Sequence, residues 1–243
     1  MSSPLLILNY HRITNGNVDI INKYLEYTLE VTEFEKQIQY LSTYCNVLPP
    51  SKWFLPSNLP FRVGLTFDDG NYSDLEFALP ILEKFGFKAM FFPVGNWLEN
   101  ENYLSIEDLK LIESLGHSVQ AHSINHPDFI KLSNHQRSKE IEDTVTFFDQ
   151  KLDLPVKYFA LPYGNYLSDW ESEFKKKNIT RVFSTGIGIN KGSNFEISRI
   201  NIKRSTSIKE FRDILERNKL YACRLNLKYI VRKFFQRFNY IFR

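Results

Sequence analysis

The chain has 243 residues, 43% of them hydrophobic and 24% charged, with 21 Phe, 13 Tyr and 3 Trp, a composition that excludes disorder and collagen-like repeats. A chain this long hides roughly 70–75% of its unfolded surface, which suits one α/β domain without staples. The net charge of +3 conceals an asymmetry, because residues 217–243 hold eight Lys or Arg and no Asp or Glu, leaving residues 1–216 at −5.

The first apolar run, residues 5–8, reads as a buried strand. It is broken at once by Asn9 and Arg12, too soon for a secretory signal or a membrane span, which predicts a protein retained in the cytoplasm. Further short apolar runs follow at residues 63–67, 89–94, 118–121, 158–161, 181–183 and 200–202, and their near-continuous apolar character suits strands covered on both faces. Between them, Ser or Thr followed three residues later by an acidic residue or Gln marks helix starts as capping boxes. The candidates are Thr32/Glu35, Ser73/Glu76, Ser105/Asp108, Ser133/Gln136, Ser168/Glu171 and Ser207/Glu210. Strand and helix alternate throughout residues 1–216, which predicts a parallel sheet or barrel wrapped in helices, with chemistry at the carboxyl ends of the strands. Residues 45–60, holding Pro49, Pro50, Pro56 and Pro60, read as an irregular connection. Cys45 and Cys223 are too few for a disulfide framework, with a single bond left open.

Three polar clusters end apolar runs. The strand at 63–67 runs into Asp68-Asp69-Gly70, where Gly70 is expected to break the pleat so that both carboxylates address one space; a plain Asp-Gly turn is the alternative. The run at 118–121 is followed by His122-Ser123-Ile124-Asn125-His126-Pro127. Two imidazoles four apart share a side of one turn, the geometry of a metal clamp, although two satisfied polar residues would look the same. Pro127 disfavours helix at His126. The zinc-protease pattern H-E-x-x-H lacks its Glu here. Asp68 and Asp69 supply what is missing, one carboxylate to complete a His-His-Asp metal set and one to take a proton from water. The third cluster, Leu161-Pro162-Tyr163-Gly164, is a Pro-stiffened turn that leaves the Tyr163 N–H free to stabilise an oxyanion, or an ordinary Pro turn.

In the order T-F-D-D-G (66–70), H-S-x-x-H-P (122–127) and L-P-Y-G (161–164), with G-F-K-A-M-F-F (86–92) and L-G-H-S (115–118) between, the chain resembles the NodB-type polysaccharide deacetylases of carbohydrate esterase family 4 over roughly residues 5–205. The resemblance implies a distorted (β/α) barrel and metal-dependent removal of acyl groups, usually N-acetyl, from sugars. It implies Asp68 as base, Asp69, His122 and His126 as metal ligands, and the Tyr163 N–H as oxyanion donor. The ion is expected to be one divalent metal, zinc by default, with iron, nickel and cobalt open.

Two departures stand out. Ala160 occupies the position where the family often has an Arg that steadies the base, and no His follows His135, where the family often supplies a general acid. Elimination leaves His11, His117 and His135. His135 reads as a solvated surface residue and His117 as structural. His11 ends the first strand, and a branch of the family with a similar Tyr-His also lacks the late His, so His11 is assigned as the acid; a capping or hydrogen-bonded His is the alternative. Pro162, Gly164 and Arg199 are placed on the substrate side, Arg199 being alternatively the substitute partner of Asp68 or a member of a structural ion pair. A carbohydrate-binding or membrane-docking protein that lost turnover is the rival reading.

From Leu227, apolar residues at Ile230, Val231, Phe234, Phe235, Phe238, Ile241 and Phe242 recur at helical spacing among basic groups. This predicts a second unit at 217–243, a basic amphipathic helix. It either touches an anionic membrane through residues 220–243, at the inner face, or packs on the barrel. The acidic body and the lack of a recognition motif argue against nucleic acid as partner. The partner expected is an acylated sugar or glycan, with lipid-linked, nucleotide-linked and polymeric forms open.

Overall fold

The structure, a computed structural model, describes residues 3–16, 22–153, 155–186, 189–190 and 193–220. Nine strands are described: β1 (Leu5–Tyr10), β2 (Arg12–Thr14), β3 (Thr28–Glu30), β4 (Arg62–Asp69), β5 (Met90–Pro93), β6 (Ser118–Val119), β7 (Tyr158–Ala160), β8 (Arg181–Thr185) and β9 (Glu196–Asn201). Seven form one all-parallel sheet in the order β6-β5-β4-β1-β9-β8-β7. The sheet curls until its ends meet at a parallel bridge between Ala121 and Phe159, where the Ala160 N–H donates to the Ala121 carbonyl at 2.9 Å. This is the curled, barrel-like parallel sheet expected, and near closure leaves little unpaired edge. β2 and β3 pair separately, parallel to each other, a pairing that their three-residue length hid from periodicity.

Helices α1 (Val31–Tyr44), α2 (Leu79–Lys84), α3 (Ile106–Ser114), α4 (Asn134–Leu152) and α5 (Glu171–Lys176), with α6 over residues 208–220, connect or flank the strands. Side chains alternate along each strand. In β1, Leu6, Leu8 and Tyr10 join the large core under the helices, while Leu5 and Ile7 face the barrel interior with Trp53, Met90, Phe92, Phe183 and Ile197. Both faces are covered, so the strand reads as unbroken apolar sequence. The irregular connection at 45–60 contributes Trp53, whose indole N–H donates to the Leu48 carbonyl at 2.7 Å. Trp53 packs against Gly64 so closely that a Cβ there would lie 2.7 Å from its ring.

Ser105/Asp108 and Ser133/Gln136 form the expected capping boxes, and the Ser207 hydroxyl accepts from the Glu210 N–H at 3.2 Å. The other three do not cap. α1 starts at Val31 directly from the end of β3, so Thr32 sits inside its first turn. The Ser73 hydroxyl accepts instead from the Ile13 N–H at 3.1 Å. Pro80, which has no N–H, lies just inside α2, and the turn before it, Asp74–Ala78, is a wide π-type one. Ser168 opens a 3₁₀ turn, and α5 begins only after Trp170. The expected strand at 200–202 begins earlier, at Glu196. No helix among the described residues is long and apolar enough to cross a membrane. The amphipathic stretch from Leu227, and all of residues 221–243, lie outside the described residues.

Candidate metal centre and active site

The polar residues gather where β1 and β4–β9 end, around a cavity of about 650 Å³. Asp68 and Asp69 close β4. The pleat breaks at Asp69 itself, with φ of 80°, and again at Gly70, with φ of 74°, a residue earlier than expected. Asp68 therefore keeps its inward place while Asp69 turns toward the same cavity.

His122 follows β6, its backbone N–H donating to the Pro93 carbonyl at 3.0 Å. Its Nδ1–H donates to the Ala160 carbonyl at 3.0 Å, which leaves the Nε2 lone pair facing the cavity. The chain reaches His126 through a non-helical turn, with Ser123 and His126 both at positive φ. The His126 ring lies against Trp97, centroids 4.7 Å apart. Asp69 Oδ1 is 3.6 Å from His122 Nε2 and 3.7 Å from His126 Nε2. Among the described residues these three are the group of potential metal ligands whose donor atoms all lie within 4.8 Å of one another.

Burial and the adjacent Asp68 charge push the Asp69 carboxyl up to about 7. Burial and the neighbouring His122 push the His126 imidazole down to about 3. Two neutral imidazoles and a carboxylate that resists ionisation beside a second acid form a site lacking positive charge. A divalent cation fits it, because it favours the ionised carboxylate and uses the free imidazole lone pairs. The N,N,O donor set suits zinc, and equally iron, nickel or cobalt.

Asp68 is 2% exposed and Arg199 1%. Arg199 Nη1 and Nη2 reach Asp68 Oδ1 and Oδ2 at 2.6 and 2.8 Å, a two-pronged pair. Asn9 Nδ2 adds a hydrogen bond to Oδ2 at 3.0 Å, and Asn9 Oδ1 accepts from the Thr66 hydroxyl and from Arg199. Burial alone would raise the Asp68 carboxyl; the Arg199 guanidinium, with smaller help from His122 and His11, overrides it and holds the group below the usual carboxylate range. The expectation that Arg199 meets substrate is corrected here. Its side chain is sealed beneath Asp68 from β9, in the partner role that Ala160 leaves open. Pro162 is likewise buried and does not line the cavity, whereas Gly164 does.

Tyr163 has φ of 61°, and its ring stands 61% exposed at the cavity rim, 5.2 Å from the His126 ring. The Gly164 N–H closes the turn onto the Leu161 carbonyl at 2.9 Å. A Cβ on Gly164 would overlap the Thr185 side chain. His11 lines the cavity beside Tyr27, ring centroids 4.8 Å apart. Its Nδ1 is buried without a partner. Burial, against the pull of Asp68, lowers its imidazole to about 4. His117 lies elsewhere, accepting from the Ala89 N–H at 3.1 Å and pairing with Glu83 at 2.9 Å, as its structural reading expected, and His135 is exposed.

Sequence reasoning missed Asn9, Asn201, Trp97 and Glu140. Asn9 carried a usable signal: it is a polar residue at an inward position, two residues after Ile7, on a strand buried on both faces. Trp97 and Glu140 had none, since only the fold brings them to the turn between the two histidines.

The sequence profile of a family described as polysaccharide deacetylase matches residues 57–182. YxkH of Bacillus subtilis strain 168 is 29% identical over 170 residues, 68% of this chain and 58% of that protein. The poly-β-1,6-N-acetyl-D-glucosamine N-deacetylase of Staphylococcus aureus strain MSSA476 is 26% identical over 208 residues, covering 74% of this chain and 71% of that enzyme. Other curated relatives are spanned over smaller shares of their length, from 21% to 41%. Among solved structures, a Streptococcus pyogenes deacetylase determined with acetate shares the fold, with a TM-score of 0.75 at 24% identity over 88% of this chain and 99% of that one.

Proposed function

Because the chain belongs to the polysaccharide deacetylase family, whose profile matches over half of it, we propose that it is a metal-dependent hydrolase that removes an acyl group, N-acetyl above all, from a sugar of a cell-surface glycan or its precursor. The observation that carries this reading is the meeting of Asp69, His122 and His126 beside a second carboxylate, Asp68, held ionised by Arg199. The S. aureus relative's name supports an N-acetylglucosamine polymer as substrate. No Lys or Arg is among the described residues lining the cavity; aromatic rings and amides, Trp97, Tyr27, Tyr163, Asn125 and Asn201, predominate beside the acids and imidazoles, which suits a neutral sugar.

Asp69, His122 and His126 would hold a divalent cation, which would supply Lewis acidity for the scissile carbonyl. Asp68 takes a proton from the attacking water, and Arg199 with Asn9 keeps its carboxylate ionised and oriented. As the new C–O bond forms, the carbonyl oxygen gains charge, which the Tyr163 N–H receives. The C–N bond then breaks, releasing carboxylic acid and amine. His11, neutral at rest, passes to the leaving nitrogen the proton that Asp68 took from water, so that both residues return to their starting states. The binding-only alternative rests on the missing Arg at position 160 and the missing late His; Arg199 supplies the partner for the first, which favours the catalytic reading. The protein is proposed to work in the cytoplasm, with residues 220–243 contacting anionic membrane.

The test is acetate release from β-1,6-linked N-acetylglucosamine oligomers by the zinc-loaded chain. Asp68→Asn is expected to lower kcat/KM by about 10²–10⁴ while retaining zinc. Absence of acetate release from acetylated amino sugars by the metal-loaded wild type overturns the proposal.

A further inference from the structure

The turn from His122 to His126 is backbone that the chain would not adopt unaided. Ser123 and His126 have φ of 66° and 55°, a region that residues with a Cβ populate sparsely and keep only where the surroundings impose it. Its polar groups can be followed one by one. The Ser123 and Ile124 carbonyls accept from the Gly95 and Asn96 N–H groups at 3.0 and 2.9 Å. The His126 N–H donates to the Ser123 hydroxyl at 2.9 Å. Two consecutive donors, the N–H groups of Ile124 and Asn125, both point at Oε1 of Glu140, at 3.1 and 2.8 Å. Asn125 Nδ2 donates to Oε2 of the same carboxylate at 2.8 Å.

Glu140 comes from α4 and is 8% exposed. Of the buried residues on that helix face, Ile141, Thr144 and Phe148 are apolar or neutral, and Arg137, three positions before, is paired with Glu173 at 2.6 Å. A charge there is costly unless it is fully hydrogen-bonded, and the partners it has are neutral N–H groups of this one turn. A carboxylate is an acceptor only, with room for several donors, which matches two converging backbone N–H groups and an amide. His122 is held independently, through the Ala160 carbonyl. The His126 ring has a hydrogen bond to its own backbone and none to another element among the hydrogen bonds described, so its place opposite Asp69 depends on the turn.

We propose that Glu140 is a positioning residue for the metal centre: its carboxylate locks the left-handed turn so that His126 Nε2 stands opposite Asp69 Oδ1 before any ion arrives. This rests on reading Asp69, His122 and His126 as ligands. Without Glu140 the turn relaxes, and binding must re-order it, which lowers affinity for the ion rather than the chemistry at Asp68. Outer partners of metal ligands are commonly worth about 10–100-fold in affinity.

The experiment measures Zn²⁺ affinity of the full chain by chelator competition, alongside Tm of the metal-free protein. Glu140→Gln replaces an acceptor by an NH₂ that meets the Asn125 amide, and is expected to weaken Zn²⁺ binding about tenfold; Glu140→Ala is expected to weaken it further. Thr144→Val, one turn along the same helix, removes a buried hydrogen bond to the Glu140 carbonyl without touching the turn. It is expected to lower Tm with unchanged Zn²⁺ affinity. Undiminished binding by Glu140→Gln, or a loss in Thr144→Val matching that in the Glu140 variants at equal Tm, overturns the assignment. A wild type with no Zn²⁺ affinity overturns the ligand reading, and this inference with it.

Discussion

Asp68 shows how much one buried charge depends on its partners. Arg199 and Asn9 together satisfy both of its oxygens, and removing one member of a buried ion pair typically costs about 3–5 kcal/mol because the other charge is left uncompensated. Arg199→Met is therefore expected to destabilise the fold by about that amount in urea titrations at neutral pH. The pH dependence has a definite sign. Asp68 is held below its unfolded range in the native protein, so the pairing contributes fully above about pH 4 and is lost as pH falls toward the native value. In Arg199→Met the unpaired carboxyl is instead relieved by protonation. The stability gap between wild type and variant should narrow from about pH 6 to about pH 3; a gap that widens in acid contradicts the pairing account. Asn9 belongs to the same unit, so its substitution should not be additive with that of Arg199.

At the level of elements, sequence signals succeed where the physics is local. A capping box involves four consecutive residues, and α3 and α4 carry theirs as expected. They fail where a neighbouring element takes the donor or sets the start. The Ser73 hydroxyl is claimed by the backbone of β2, and α1 is entered directly from β3, so Thr32 is bypassed. Ser133→Ala should cost about 1 kcal/mol, the usual worth of an N-cap, whereas exposed Thr32→Ala should cost nothing measurable or stabilise slightly through helix propensity. Equal losses from the two in thermal unfolding would mean that α1 starts later than Val31. The strands follow the same logic. β1 and β4 were legible because both faces are buried, while β2 and β3, three residues each, offered no period to read.

For the whole molecule, one device makes the site: a parallel sheet curled until its ends meet at Ala121 and Phe159, which turns the ends of separate strands toward one cavity. The Ala160 carbonyl that orients His122 belongs to the strand at that seam, so closure and ligand geometry are coupled. The basic segment beyond α6 is proposed to act independently of the barrel, through apolar burial and attraction to anionic lipid. A protein truncated after Lys219 is expected to lose binding to vesicles containing phosphatidylglycerol while keeping its Tm. Equal vesicle binding by both forms removes the membrane role, and a fallen Tm instead favours a tail packed on the barrel.

Composition, strand-helix alternation and the three polar clusters determined the fold class, the family and the residues around the cavity, because burial patterns and short motifs are written in neighbouring residues. What only the tertiary structure decided was who partners whom. Arg199 lies 131 positions from Asp68 and Glu140 sits on a helix away from the turn it grips. Pairings of this kind follow from strand register and sheet curvature, which depend on every contact in the barrel and on no local stretch of sequence.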